Sequence, residues 1–234
     1  MSRCRRKWHR SKWRAARPRG DEDEEGWSAL HNAAAAGQAE TVAELLRRPS
    51  TDLNGVEPTE GFTALGLAAL AGHAAVVQAL LACDHLHVNV PNHFGCSPLW
   101  NAASRGHQAV VRLLFAHEDI DGSVNQSAQD GTTPLFIAVK AGHGAVVALF
   151  LARPETEAVV QAYHLGDLGY TPLFMAAQKG HEEVVRLLLG HADVDANAAR
   201  RDGVTPLYIA QRHGYEAAVR LLLAHGAVNP NQPI

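Results

Sequence analysis

Apolar and small residues recur along this chain in a fixed phrase. Six segments, SALHNA from Ser28, TALGLA from Thr63, SPLWNA from Ser97, TPLFIA from Thr133, TPLFMA from Thr171 and TPLYIA from Thr205, open on a hydroxyl residue and keep a Leu and a final Ala. Two residues before each phrase stands a glycine (Gly26, Gly61, Gly95, Gly131, Gly169, Gly203), at intervals of 35, 34, 36, 38 and 34 residues. Eleven residues after each of these comes a second glycine (Gly37, Gly72, Gly106, Gly142, Gly180, Gly214). Six copies in register exclude coincidence and make the repeat the organising unit of the chain.

The local chemistry of one copy predicts two helices. Ser or Thr is an N-cap whose oxygen accepts an orphan amide of the first turn, and the Pro after it in four copies suits the first helical position. The second glycine suits the left-handed residue that ends such a helix. Next come TVAELL from Thr41, VVQALL from Val76, VVRLLF from Val110, VVALFL from Val146, VVRLLL from Val184 and AVRLLL from Ala218. Their apolar places fall at i, i+1, i+4 and i+5, a stripe broad enough to be buried on both sides, which predicts a second, antiparallel helix. The polar stretches that follow, such as Asp119-Ile-Asp-Gly, predict turns or hairpins rather than a third helix. A lone helix pair cannot cover its own apolar face, so the copies are expected to stack.

Composition sharpens the picture at the N-terminus. The chain has 234 residues and a formal charge of −3, from 21 Lys and Arg against 24 Asp and Glu. Nine of the basic residues lie within residues 1–20, among them Arg3, Arg5, Arg6, Lys7, Arg10, Lys12 and Arg14, and five acids follow at 21–25. The arm is thus +9, the acidic run −5 and the remainder, 12 basic less 19 acidic, −7. Residues 1–25 are expected to be a disordered arm. Its charge suits nuclear localisation, nucleic acid, an anionic membrane surface or a transit peptide, and charge alone separates none of these.

With 47% apolar residues, the chain is too hydrophobic for disorder throughout, yet no apolar run approaches the roughly 18 residues of a membrane span. Three cysteines, Cys4, Cys83 and Cys96, form neither a disulfide framework nor a zinc spacing. A reducing intracellular compartment, cytoplasm or nucleus, is the expectation, with mitochondrial targeting left open by the Arg-rich arm. The Asn125-Gln126-Ser127 sequon is then expected to carry no glycan.

The unit of a β-turn and two helices, with the phrase T-P-L-H-x-A, resembles the ankyrin repeat. The resemblance covers six copies, approximately 26–58, 59–92, 93–128, 129–166, 167–200 and 201–234. It is fullest at Thr133-Pro134-Leu135, Thr171-Pro172-Leu173 and Thr205-Pro206-Leu207, and at the Gly-His pairs ending in His73, His107, His143 and His181. It weakens in repeat 1, with Ala29 for Pro and Gln38 for His, and in repeat 2, where Gly66 stands for the usual His. It implies an all-α ankyrin-repeat solenoid of stacked antiparallel helix pairs joined by β-turn or hairpin loops. The surplus residues of repeats 3 and 4 fall in loops around 116–130 and 152–168, whose hairpin geometry the pattern leaves open.

The same resemblance implies a monomeric protein-interaction module that uses no cofactor. Fourteen histidines invite a metal or acid-base reading, but no HExxH or tight ligand cluster occurs, and the Gly-His rings are expected to hydrogen-bond between helices. No phosphate loop, GxSxG elbow or kinase set occurs either, so neither catalytic nor metal-binding residues are assigned. In the family, residues flanking the first glycine and just before the second face the binding surface. By position these include Trp27, Phe62, Phe94 and Tyr170, candidate aromatic anchors at slots usually exposed, and Arg105, Lys140, Lys179 and Arg212, which turn the surface basic after apolar repeats 1 and 2. The partner is a protein of unidentified kind. The alternative is a nuclear or nucleic-acid-associated adaptor whose basic arm contacts phosphates.

Overall fold

The computed structural model describes residues 26–158, 169–226 and 228. The basic arm and its acidic run lie outside the described residues. Six helix pairs form where the repeated phrases place them: α1 (Ala29–Ala35) with α2 (Ala39–Leu46), α3 (Ala64–Ala71) with α4 (Ala74–Leu81), and α5 (Pro98–Arg105) with α6 (Gln108–Phe115). After an extra short helix, α7 (Asp121–Val124), come α8 (Pro134–Ala141) with α9 (Gly144–Leu151), α10 (Pro172–Lys179) with α11 (Glu182–Leu189), and α12 (Pro206–His213) with α13 (Glu216–Ala224).

Each first helix begins as its sequence requires. The hydroxyls of Ser28, Thr63, Ser97, Thr133, Thr171 and Thr205 accept from the amide three residues on, for example Gly66 N–H at 3.0 Å and Phe136 N–H at 3.1 Å. The stop is equally regular. The carbonyl of the final Ala of each phrase accepts the amide five residues later, as in His73 N–H to Ala68 O at 3.0 Å, the six-to-one bond that closes a helix on a left-handed glycine. All twelve repeat glycines have positive φ; Gly72, at +82°, sits where an L side chain would be strained.

Two compact units group these elements. In the first, 26–102 with 107–123, α1 packs on α3 and α2 on α4, which packs on α6. In the second, 103–106 with 124–228, α8, α10 and α12 pack in series, as do α9, α11 and α13. The paired apolar residues of the second helices supply the cores: Val76, Val77, Val110 and Val111 are fully buried in one, and Val146, Val147, Val184 and Val185 are buried in the other. Such quasi-one-dimensional stacking lets each pair stabilise mainly its neighbours.

Four of the described connections carry a hairpin, with one isolated bridge, Val56 to Thr63, among the described residues. In repeat 3 Asn92 N–H donates to Cys96 O at 3.1 Å and Gly95 N–H to Asn92 O at 2.9 Å. Ala128 with Thr132 and Arg200 with Val204 repeat the same two bonds, and Glu57 with Phe62 repeats them with one residue more. One connection departs from the expected turn. Glu118–Ile120 forms a 3₁₀ turn that runs into α7, because Ile120 and Val124 bury their side chains and Ser123 Oγ donates to Ile120 O at 3.2 Å. The surplus residues of repeat 3 are therefore helical.

Candidate partner-binding surfaces

The residue after each first glycine was expected to face solvent, yet Cys96, Thr132 and Val204 are buried there, and so are two of the three aromatics. Trp27 and Phe62 are buried, packed with Ala35 and Leu67 in one cluster that Leu70 partly covers. The cause is the company they keep: the last turns of α1 and α3 offer small or aliphatic side chains against which a ring can lie. The His31 ring meets Trp27 edge-on at 6.4 Å. In repeat 2 a Cβ added at Gly66 would lie 3.3 Å from the Phe62 ring, a tight approach. As exposed anchors Trp27 and Phe62 are corrected; Phe94 stays half-buried at the hairpin of repeat 3.

Tyr170, in the second unit, takes the same slot and remains half-exposed. Its ring meets Phe174 edge-on at 5.4 Å, while Arg200 lies over both rings at 5.2 and 5.3 Å. Arg200 Nη1 donates to the Tyr170 hydroxyl at 3.0 Å and Nε to Asp202 Oδ1 at 2.9 Å. That guanidinium holds the Asp202 carboxyl down at about 2, from an ordinary 3.8. Arg200 is a surface determinant the sequence pattern did not reveal, since thirty residues separate it from the ring it covers.

His31 and Glu57 anchor the first unit's polar interior. His31 is buried; its Nδ1 accepts from the Ser28 amide at 3.3 Å and lies 2.8 Å from Ser28 Oγ, and its Nε2–H donates to Gly55 O at 3.0 Å. Burial pushes its pKa below the usual histidine value, only partly offset by the Gly55 carbonyl and the charges of Glu57 and Asp52. The buried Glu57 carboxylate accepts from the amides of Thr59 at 2.7 Å, Glu60 at 2.9 Å and Phe62 at 3.0 Å, and from the Thr59 hydroxyl. Burial acts to raise its pKa, but these donors outweigh it and leave the carboxyl below its usual range.

The Gly-His histidines serve the junctions between repeats, as the resemblance implied. Nε2 of His73, His107, His143 and His181 donates to the carbonyls of Ala35, Leu70, Ser104 and Lys140, at 3.1, 3.1, 3.3 and 3.3 Å. Each acceptor lies two residues before a second glycine. Each ring also covers that glycine: a Cβ at Gly142 would lie 2.7 Å from His181 Cε1. Tyr215 takes the ring position over Gly180, and among the described residues nothing lies within 4 Å of the corresponding point at Gly214.

A second bridge, on the connecting loops, carried no signal in the repeat phrase. Asn54 Nδ2 donates to His85 O at 2.9 Å and its Oδ1 accepts His87 N–H at 2.7 Å; Asn125 does the same with Glu155 O and Glu157 N–H, at 2.6 and 3.0 Å. Asn89 reaches Asp119 O at 2.6 Å, but among the described residues its buried Oδ1 has no hydrogen-bond partner, because the amide that would meet it lies in the helical turn of repeat 3. Both ends of the Asn125 side-chain amide are thus committed to the neighbouring loop.

The four cations stand together on one kind of element. Arg105, Lys140, Lys179 and Arg212 occupy the last turns of α5, α8, α10 and α12, and all belong to the second unit. Arg105, Lys179 and Arg212 are exposed and Lys140 is half-buried. Among the described residues the first three form no ion pair. A cation there also complements the helix dipole, which stabilises the helix end by roughly 0.3–1 kcal/mol. Among the described residues no group of His, Cys, Asp and Glu is placed to hold a metal ion, and Cys83 and Cys96 form no disulfide.

Comparison with known proteins agrees with this geometry. The family profile described as ankyrin repeats, three copies in length, matches residues 13–92, 82–162 and 154–233. The chain belongs to the ankyrin repeat family, and its fold class is the all-α ankyrin-repeat solenoid. The first match begins at residue 13, inside the segment set apart above as the arm. An ankyrin repeat domain from Acinetobacter baumannii AYE is similar at 28% identity, over 85% of this chain and 98% of that one, with a TM-score of 0.70. The human ASB11 ankyrin repeat domain is 27% identical over 88% and 89%, at 0.70. The ankyrin repeat domain of Bcl-3, described as a unique member of the IκB protein family, is 25% identical over 88% and 89%, at 0.73. No curated protein sequence matches the chain. Domains of this family are in general protein-protein interaction modules. Among the described residues no helix is long and apolar enough to cross a membrane.

Proposed function

We propose that this protein acts by binding a protein partner on the hairpin and first-helix surface of its second unit, without catalysis of its own. The observation that carries the reading is the series Arg105, Lys140, Lys179 and Arg212, one cation in the last turn of each of four successive first helices. Lone surface cations need no explanation, but one at the end of each of four successive first helices, one or two residues before the closing glycine, supplies a field that selects partners by charge. Binding rather than catalysis is supported by the junction histidines, whose Nε2–H groups are spent on carbonyls between repeats.

Quantitative affinity capture with the full chain tests the reading, wild type against Lys140→Glu with Lys179→Glu. Proteins lost only from the variant are expected. An unchanged captured set would show that the assigned face is wrong. The nine positive charges of residues 1–20 favour a second reading, an adaptor that also contacts nucleic acid through that arm. Its signature is a steep salt dependence of nucleic-acid binding that disappears when residues 1–20 are deleted.

A further inference from the structure

We infer that Ser50 is a phosphorylation site for a protein kinase that reads the two arginines before it, and that its phosphate completes an ion pair already built into another repeat. The inference is independent of the partner surface proposed above.

The loops that follow the second helices share one frame. In repeat 1 the Thr51 amide donates to Arg48 O at 3.1 Å; in repeats 3, 4 and 5 the amides of Ile120, Thr156 and Val194 do the same with His117, Arg153 and His191, at 3.3, 3.2 and 3.2 Å. The next bond also matches, since the Asn54 amide donates to Asp52 Oδ1 at 3.1 Å and the Asn197 amide to Asp195 Oδ1 at 2.8 Å. That frame makes Ser50 the counterpart of Asp119, Glu155 and Asp193. An acid two residues further on is common to the four loops: Asp52, Asp121, Glu157 and Asp195. Repeats 3, 4 and 5 thus read acid-x-acid where repeat 1 reads Ser50-Thr51-Asp52.

Each counterpart acid faces a basic side chain two residues earlier. Glu155 Oε2 stands 3.4 Å from Arg153 Nε in an ion pair, and an Oδ2 of Asp119 and of Asp193 stands 3.9 Å from the Nδ1 of His117 and of His191. Repeat 1 keeps the basic residue as Arg48 and adds Arg47, but has a neutral hydroxyl in place of the carboxylate. Arg47, Arg48, Pro49 and Ser50 are all exposed, just past the end of α2 at Leu46. Among the described residues neither arginine forms an ion pair. Thr51, the neighbouring hydroxyl, is already committed, donating to Leu45 O at 2.6 Å.

Phosphorylation supplies the missing charge. Ser50 Oγ attacks the γ-phosphorus of a nucleoside triphosphate, the bond to the bridging oxygen breaks, the nucleoside diphosphate leaves, and the hydroxyl proton passes to the kinase's base. The product carries about −1.5 to −2 charges and three acceptor oxygens, which a guanidinium matches in bidentate fashion. Asp52 does not forbid it, because the loops of repeats 3, 4 and 5 already hold two negative groups at the same spacing. Two exposed arginines ahead of the acceptor select an enzyme with an acidic substrate groove, since charge complementarity sets partner and register.

The test incubates the full chain with MgATP and the catalytic subunit of cyclic-AMP-dependent protein kinase, an arginine-directed enzyme, and maps the phosphate by peptide mass spectrometry. Ser50 is expected to be modified in the wild type, at a rate at least about tenfold above that of Arg47→Ala with Arg48→Ala. Phosphate found only elsewhere, at Ser11 for example, would overturn the site, and equal rates would overturn its reading through the arginines. Phosphorus NMR then follows the second ionisation of the Ser50 phosphate, ordinarily about 6. A neighbouring cation favours the dianion, so this pKa should lie roughly half a pH unit lower in the wild type than in Arg48→Gln. Equal values would overturn the ion pair. Circular dichroism checks that the double variant folds, and Arg48→Gln alone repeats the rate comparison if it does not.

Discussion

Two regions treat one slot differently. After the first glycine, repeats 1 and 2, in the first unit, bury Trp27 and Phe62, whereas repeat 5, in the second, leaves Tyr170 half-exposed beneath Arg200, although Thr132 and Val204 of the same unit are buried there. The difference comes from the neighbours of the slot. Ala35, Leu67 and Leu70 let a ring settle into the first unit, while in the second Phe174 turns its edge to Tyr170 and a guanidinium closes over both. The last turns of the first helices follow suit, aliphatic in repeats 1 and 2 and cationic from Arg105 onward. An aromatic at a variable position is thus no measure of a binding surface until its neighbours are known. At this slot repeats 1 and 2 bury a ring for stability, and repeat 5 keeps one at the surface under a charge.

The largest test of that contrast is truncation. Trp27→Ala or Phe62→Ala should cost about 3–5 kcal/mol, as removal of a buried ring does, read as a shift of the urea midpoint. Tyr170→Ala should cost only about 1 kcal/mol, in the range of half-exposed positions. Equal losses would erase the distinction between the two slots.

Within the second unit the repeat glycines allow a finer comparison. Alanine at Gly214 meets only the strain of a left-handed backbone, about 1–2 kcal/mol. Alanine at Gly142 meets the same strain and must also displace the His181 ring, which adds roughly 1–3 kcal/mol of overpacking. If thermal unfolding places the two variants at the same stability, the ring does not lock the junction.

Acid should loosen the units in separate ranges. His31 has a folded pKa below its unfolded value of about 6.5, so the unfolded chain takes up the proton first. Its contribution is complete above that pH and is lost as the pH falls toward the folded pKa; His31→Gln should remove this slope from the first unit. Asp202, held at about 2 by Arg200, contributes above its ordinary value of 3.8 and loses its contribution as the pH falls through about 2. Amide hydrogen exchange followed along a pH series should show α1 loosening at a higher pH than the hairpin of repeat 6. Simultaneous loosening of both would contradict the assignment.

How much could be read in advance follows the reach of each interaction. The hydroxyl caps, the closing glycines and the junction histidines were legible, because a cap spans three residues and the histidine recurs at a fixed place beside its glycine. The helical turn of repeat 3 was missed because Asp and Gly read as a turn, while burial of Ile120 and Val124 favoured a helix. The asparagine bridges were missed because each joins backbones about thirty residues apart through a side chain unremarkable in any one copy.

By itself, then, the sequence determined the six helix pairs, their starts and stops, and the family, since those depend on contacts within a few residues repeated in register. Only the tertiary structure decided which aromatics are hidden and that Arg200 guards Tyr170. Those outcomes depend on which side chain of the neighbouring repeat arrives first at a shared space, and spacing along the chain does not encode that.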